Sequence, residues 1–217
     1  MTMHRFAVLI LWACVASWVH RANSTEIYDN LTQPVSVNGS FSNGTWPALS
    51  FRTTAVEFIL DSVTIPIWNQ NLLTSGTITF RIYDTGGPGG TPGLALGATL
   101  GTISIAGISS SSYQNVTFSG LNRTLTANTN YWIVTQARDL GNVFYVGATN
   151  TAGGIVTGSL GNSVTFNGGA SWSAPSTNLY VIGRVTAVPE PSTCVLSGLS
   201  VIAMVIAARS RSTKAAA

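Results

Sequence analysis

Nine short runs between residues 56 and 182 alternate apolar with polar side chains, and turn formers separate them. They are Val56–Leu60, Val63–Ile67, Thr77–Tyr83, Thr102–Ile105, Asn115–Phe118, Tyr131–Val134, Val143–Val146, Ser163–Phe166 and Leu179–Ile182. A period of two sends successive side chains to opposite faces of an extended chain, whereas an amphipathic helix repeats its apolar residues every three or four. Strands with one apolar face bury it by packing sheet on sheet. The pattern therefore predicts an all-β domain, a single β-sandwich of jelly-roll-like topology. Gly86-Gly87-Pro88-Gly89-Gly90 reads as a turn between strands, because a phosphate-cradling loop would lead into a helix. Tyr131 and Trp132 point to opposite faces, so one is expected in the core and the other partly exposed.

Composition agrees with one such domain. The chain has 217 residues, of which 8% are charged and 22 are Gly. That mixture is too apolar for disorder and too poor in charge for a helical bundle. The net charge of +3 is not spread evenly. From Ser24 to Ala187 five arginines (52, 81, 123, 138 and 184) face six acids (26, 29, 57, 61, 84 and 139), so this segment is slightly acidic. A basic nucleic-acid surface is excluded on that count. Positive charge collects instead at Arg5 and Arg21, and at Arg209, Arg211 and Lys214.

Both ends read as targeting segments. His4 and Arg5 precede an apolar run from Phe6 to Val19. Its apolar core of about a dozen residues suits a secretory signal helix and is short of the roughly 20 residues of a membrane span. Val15 with Ser17 offers one cleavage site and Ala22 a second. Cys14 would suit lipid attachment, but Trp12 fits a lipoprotein signal poorly. Cys14 and Cys194, the two cysteines, both lie in these ends, so the middle of the chain has no disulfide and no thiolate metal site.

At the other end Val188, Pro189, Glu190 and Pro191 precede an apolar run from Cys194 to Ala208, and then the basic tail Arg209, Arg211 and Lys214. The prolines keep the backbone extended. As a helix the apolar run spans about 22 Å, less than the ~30 Å of a hydrocarbon core, which suggests a transient stop more than a permanent anchor. The basic residues hold the tail on the cytoplasmic side. The predicted organisation is a signal peptide over 1–22, a β-sandwich over 23–187, and a sorting signal over 188–217 containing a short transmembrane helix.

The order of Pro-Glu-Pro, apolar segment and Arg-rich end resembles the PEP-CTERM sorting signal, which implies processing by a membrane transpeptidase, an exosortase. The middle of the chain resembles the choice-of-anchor extracellular domains, in particular the kind labelled R. The phrases that carry this are Ile27–Asn30, Phe80–Asp84 leading into Gly90–Gly93, Leu125–Val134 and Gly168–Trp172. Together the two resemblances imply an exported cell-surface or biofilm-matrix protein. Its partners would be the export machinery and an exosortase-like enzyme, with the inner membrane engaged at least transiently. A permanently anchored surface protein with a proline-rich stalk is the alternative use of the same tail.

Residues suited to catalysis are scarce. His4 and His20 are the two histidines, so the middle of the chain can build neither a Ser-His-acid triad nor a His-ligated zinc site. Glu57 and Asp61 flank one strand end, but no pattern brings them to a cleft as a glycosidase pair. Asp84, and Asp139 near Asn142, lack the spaced acids of a calcium loop and suit turns that hydrogen-bond their own backbone. No enzyme activity, metal or cofactor is predicted. The competing function is carbohydrate binding, with Trp46, Trp68, Trp132 and Trp172 as candidate stacking surfaces for sugars of an extracellular polysaccharide. A coplanar row of exposed rings would favour that reading, and buried rings a structural one.

Overall fold

The computed structural model describes residues 24–138, 144–151, 159–176 and 178–189. The signal segment, the apolar run, the basic tail with Arg209, Arg211 and Lys214, and Asp139 with Asn142 lie outside the described residues. Ser24–Val188 form one compact unit. The described residues form an all-β fold of twelve strands in two antiparallel sheets. Among the described residues no helix is long and apolar enough to cross a membrane.

In chain order the strands are β1 (Thr25–Asp29), β2 (Val37–Phe41), β3 (Trp46–Arg52), β4 (Phe58–Trp68), β5 (Thr77–Tyr83), β6 (Gly101–Ser104), β7 (Gln114–Leu125), β8 (Asn130–Arg138), β9 (Phe144–Thr149), β10 (Asn162–Thr165), β11 (Tyr180–Val181) and β12 (Arg184–Pro189). Pairing is nested about the connection between β5 and β6. β5 pairs with β6, β4 with β7, β3 with β8 and β2 with β9, and successive pairs fall alternately in the two sheets. The second sheet runs β10-β3-β8-β5-β6, and β1 and β12 extend the first.

The core lies between the sheets. Leu49, Phe51, Ile78, Phe80, Ile82, Tyr131 and Ile133 come from the second sheet; Phe58, Leu60, Val63, Ile65, Ile67, Phe144 and Val146 come from the first. Each such side chain contributes about 1.5–3 kcal/mol through removal from water. Phe51 stacks on Tyr131 at 5.7 Å. The Tyr131 hydroxyl accepts the Thr126 amide at 2.9 Å, which ties the β7–β8 turn to the core.

The runs Val56–Leu60 and Val63–Ile67 belong to one strand. In β4 the inward residues are Phe58 and Leu60, then Val63, Ile65 and Ile67, so the phase slips at Asp61. There β7 sets Gly120, Leu121 and Asn122 against Asp61 alone, with positive φ at Gly120 and Asn122. A bulge restores the apolar face after such a slip. Strands β1, β2, β3 and β12 were not among the nine runs. β3 is buried on both faces and so does not alternate, and β2 carries the polar segment Val37-Asn38-Gly39-Ser40-Phe41. β12 continues through Val188 and Pro189, so the first proline of the Pro-Glu-Pro motif is a strand residue, while Glu190 and Pro191 lie outside the described residues.

Candidate functional site

The four candidate tryptophans separate onto the outer faces of the two sheets. Trp46, Trp132 and Trp172 belong to a small second cluster on the outer face of the second sheet, with Ala48, Val134, Tyr83 and Leu160. Trp68 stands apart on the first sheet.

Trp132 is not a binding surface. It is fully buried and Tyr131 is buried too, so the expectation that one of this pair is partly exposed fails. They do point to opposite faces: Tyr131 enters the main core and Trp132 the outer cluster. The outer face is itself roofed by the segment Asp84–Leu94, and the Trp132 indole N–H donates to the Gly90 carbonyl at 3.0 Å. The alternation of one strand cannot reveal that both of its faces are covered.

The roof is a closed loop. The Asp84 amide donates to the Leu94 carbonyl and the Gly93 amide to the Asp84 carbonyl, at 3.1 and 3.0 Å. Asp84 Oδ1 accepts the Gly86 and Leu94 amides at 3.0 and 2.8 Å. Asp84 thus hydrogen-bonds its own loop, as a turn-forming aspartate does. A Cβ on Gly93 would collide with that carboxylate and with Gly86, so the Gly-rich composition follows from the closeness of the loop's two arms.

A second turn approaches from residues 166–172. Gly169, at φ 90°, lies against the Trp46 indole, where a Cβ would come within 2.9 Å of the ring. The Trp172 ring sits edge-on to Tyr83, centroids 6.4 Å apart, and the Tyr83 hydroxyl accepts the Gln136 amide at 2.8 Å. Between the loop and the turn lies an open cleft of about 470 Å³, walled by Asp84, Pro88, Pro92, Leu94, Ser171 and Trp172, together with glycine backbone. Asp84 Oδ2 makes no hydrogen bond among the described residues, and no Lys or Arg lines the cleft.

On the first sheet, Trp68 gathers two aromatic residues the sequence did not single out. Tyr145 is its cross-strand partner, with centroids 5.9 Å apart, and Tyr113 approaches from the other side at 5.6 Å. The Trp68 indole donates to the Ser110 carbonyl and the Tyr113 hydroxyl to Asn38 Oδ1. Burial pushes the Tyr113 phenol up to about 12. All three rings are half-buried, and Tyr113 and Tyr145 are tilted by 54° and 42° to the Trp68 ring, so they form no flat platform with it.

Among the described residues the ion pairs lie on one strand seam. Arg184 on β12 holds Glu26 at 3.2 Å and Asp29 at 2.9 Å on β1. Glu57 is exposed, and Asp61 at the bulge accepts a long hydrogen bond from Thr186 at 3.4 Å. Among the described residues no group of three or more His, Cys, Asp or Glu side chains converges.

No family model matches the chain, and no curated protein does. Among solved structures, two from infectious bursal disease virus are similar at a TM-score of 0.22. The Gx strain is 12% identical over 79% of this chain and the Gt strain 15% over 78%. The chain spans 41% and 38% of the length of those two chains.

Proposed function

We propose that this chain is an exported, non-enzymatic surface or extracellular-matrix protein, delivered and processed through its C-terminal signal. The observation that carries the reading is the junction between β12 and the motif. Among the described residues the outermost pair of β12 with β1 is Ala187 with Thr25, and Val188 and Pro189 complete the strand. Proline has no amide hydrogen, so Pro189 cannot donate to a continued ladder. On this reading the chain past Pro189 is a segment beyond the folded domain that a processing enzyme would take into its cleft.

The finer architecture belongs to the same proposal. The domain is a jelly roll, for which the nested pairs β2·β9, β3·β8, β4·β7 and β5·β6, alternating between sheets, are the support. A signal helix precedes it and a short membrane helix follows. Outer-face hydroxyls such as the part-exposed pair Ser62 and Thr186 and the exposed Thr102 and Thr117 suit contact with a hydrated matrix.

Mass spectrometry of the C-terminus of protein from fractionated native cells tests the delivery reading. A terminus near Pro189 to Thr193 on material outside the inner membrane is the expected result. An intact Lys214 tail held in the membrane would make this a permanently anchored protein and end the processing proposal.

A further inference from the structure

The geometry points to the cleft between the Asp84–Leu94 loop and the 166–172 turn as a binding site for a neutral sugar unit. The inference rests on the extracellular role proposed above and adds the ligand class and its seat.

Four observations carry it. The volume, about 470 Å³, falls within the range of small-molecule pockets, roughly 300–1,000 Å³. One wall is the half-buried indole of Trp172, steadied from behind by the edge contact with Tyr83, and such a ring accepts the C–H face of a pyranose. Across the same cleft Asp84 has its two carboxylate oxygens divided: Oδ1 is committed to the Gly86 and Leu94 amides, while Oδ2 is left to accept hydroxyl protons from a ligand. Finally, the walls are rigid before anything binds. The loop is closed by the Gly87 amide to the Thr91 carbonyl at 3.2 Å and by the Thr91 hydroxyl to the Pro88 carbonyl at 3.0 Å, and it is pinned to the sheet by Trp132. Pre-ordered walls reduce the entropic cost of capture.

The charge balance narrows the class. A single carboxylate with no cation beside it repels uronate, sulfate and phosphate groups, which excludes acidic polymers. The apolar surfaces of Pro88, Pro92 and Leu94 have no use for a hydrated metal ion but suit the C–H faces of a sugar.

Affinity electrophoresis of the full chain in mild detergent tests the assignment, with neutral polysaccharides (dextran, laminarin, xyloglucan) in the gel and alginate or chitosan as charged probes. Retardation by at least one neutral polymer and not by alginate is expected. Asp84→Asn keeps an Oδ1 acceptor for the loop amides and replaces the free acceptor with a donor, so it should bind about tenfold more weakly at an unchanged melting temperature. Trp172→Ala should weaken binding at least as much, and Trp172→Phe should recover part of it. Trp68→Ala, on the other sheet, should bind as the parent does. Retardation by chitosan alone would assign the cleft to an amine, and a loss seen only with Trp68→Ala would move the ligand to the other face; either overturns the proposal. No retardation by any neutral polymer overturns it too. That failure would leave the C-terminal processing reading standing, because the terminus is measured independently.

Discussion

Replacing Trp132 separates a structural tryptophan from a ligand-stacking one. Its indole is fully buried between Ala48, Val134, Tyr83 and the roof loop, so Trp132→Ala removes a large packed ring and leaves a cavity. Truncations of this kind cost about 3–5 kcal/mol. A domain of this size shifts its melting temperature by roughly 2–4 °C per kcal/mol, which predicts a fall of about 6–20 °C. Trp132→Phe keeps much of the ring but removes the donor to the Gly90 carbonyl that accepted the indole proton at 3.0 Å. Gly90 is half-buried and its carbonyl can take up water, so losing this bond costs about 0.5–1.5 kcal/mol. Urea denaturation followed by near-ultraviolet circular dichroism measures both. Hydrogen exchange adds a local readout: in Trp132→Phe the amides of Gly87, Gly90 and Thr91 should exchange faster, while those of β4 change only with the global stability. A Trp132→Ala chain destabilised by less than about 1 kcal/mol would refute the reasoning, because a stacking residue on an open face is removed at little cost.

Gly101→Ala places a Cβ inside the ring of Phe118, and an overpacked contact of this kind should destabilise by about 1–3 kcal/mol in the same denaturation assay. Arg184→Met breaks both ion pairs across β1 and β12. These groups are partly exposed, so the loss should stay at about 1 kcal/mol or below and shrink further in 1 M salt, as parallel melts at low and high salt would show. Burial raises the phenol of Tyr28, whose hydroxyl donates to the Val181 carbonyl at 2.8 Å, and it raises Tyr113 to about 12. The unfolded chain releases these protons near pH 10 and the folded chain releases them later, so their contribution is intact below pH 10 and is lost as pH rises through the folded values. A melting-temperature series from pH 8 to 12 should be level up to about pH 10 and then fall, with a shallower fall in Tyr28→Phe. A series that stays level to pH 12 would contradict the burial of Tyr28.

The fold class was legible because most strands expose one face and bury the other. Legibility ended wherever that condition failed. β3 runs Trp46-Pro47-Ala48-Leu49-Ser50-Phe51-Arg52 and is covered on both sides, so its residues from Pro47 to Phe51 carry no alternation to read. β4 looked like two strands because the bulge at Asp61 slips the phase of its inward residues. β12 does alternate, with Val185 and Ala187 buried, but its inward side chains are small and it runs into the prolines of the tail. The candidate site was legible as a list of tryptophans and illegible as a place. Tyr83 becomes a neighbour of Trp132, and Tyr145 of Trp68, only through cross-strand register, which periodicity along one strand does not encode. Asp84 was legible as a turn former; that the same turn leaves one of its oxygens free on a cleft wall depends on a second segment more than 80 residues further along the chain.

The pairing of β1 with β12 joins the two ends of the domain to one seam of the first sheet, and this bears on how processing is tolerated. Thr25 pairs with Ala187, so removal of a signal at Ser17 or Ala22 and cleavage beyond Pro189 would both cut outside the last bonded pair. All the paired residues of the seam would survive, as would the bonds that join β1 to Gly183 through the Asn30 amide and side chain. Maturation would therefore leave the domain's stability close to that of the unprocessed chain. Chains truncated after Pro191 and after Arg184 make the comparison. The first should melt within a few degrees of the parent, whereas the second loses Val185 and Ala187 from the core together with the ladder to β1, and should unfold or melt far lower. If truncation after Pro191 were as damaging as truncation after Arg184, the folded domain would have to extend past the motif. Cleavage there would then be destructive, and delivery by processing would lose its physical basis.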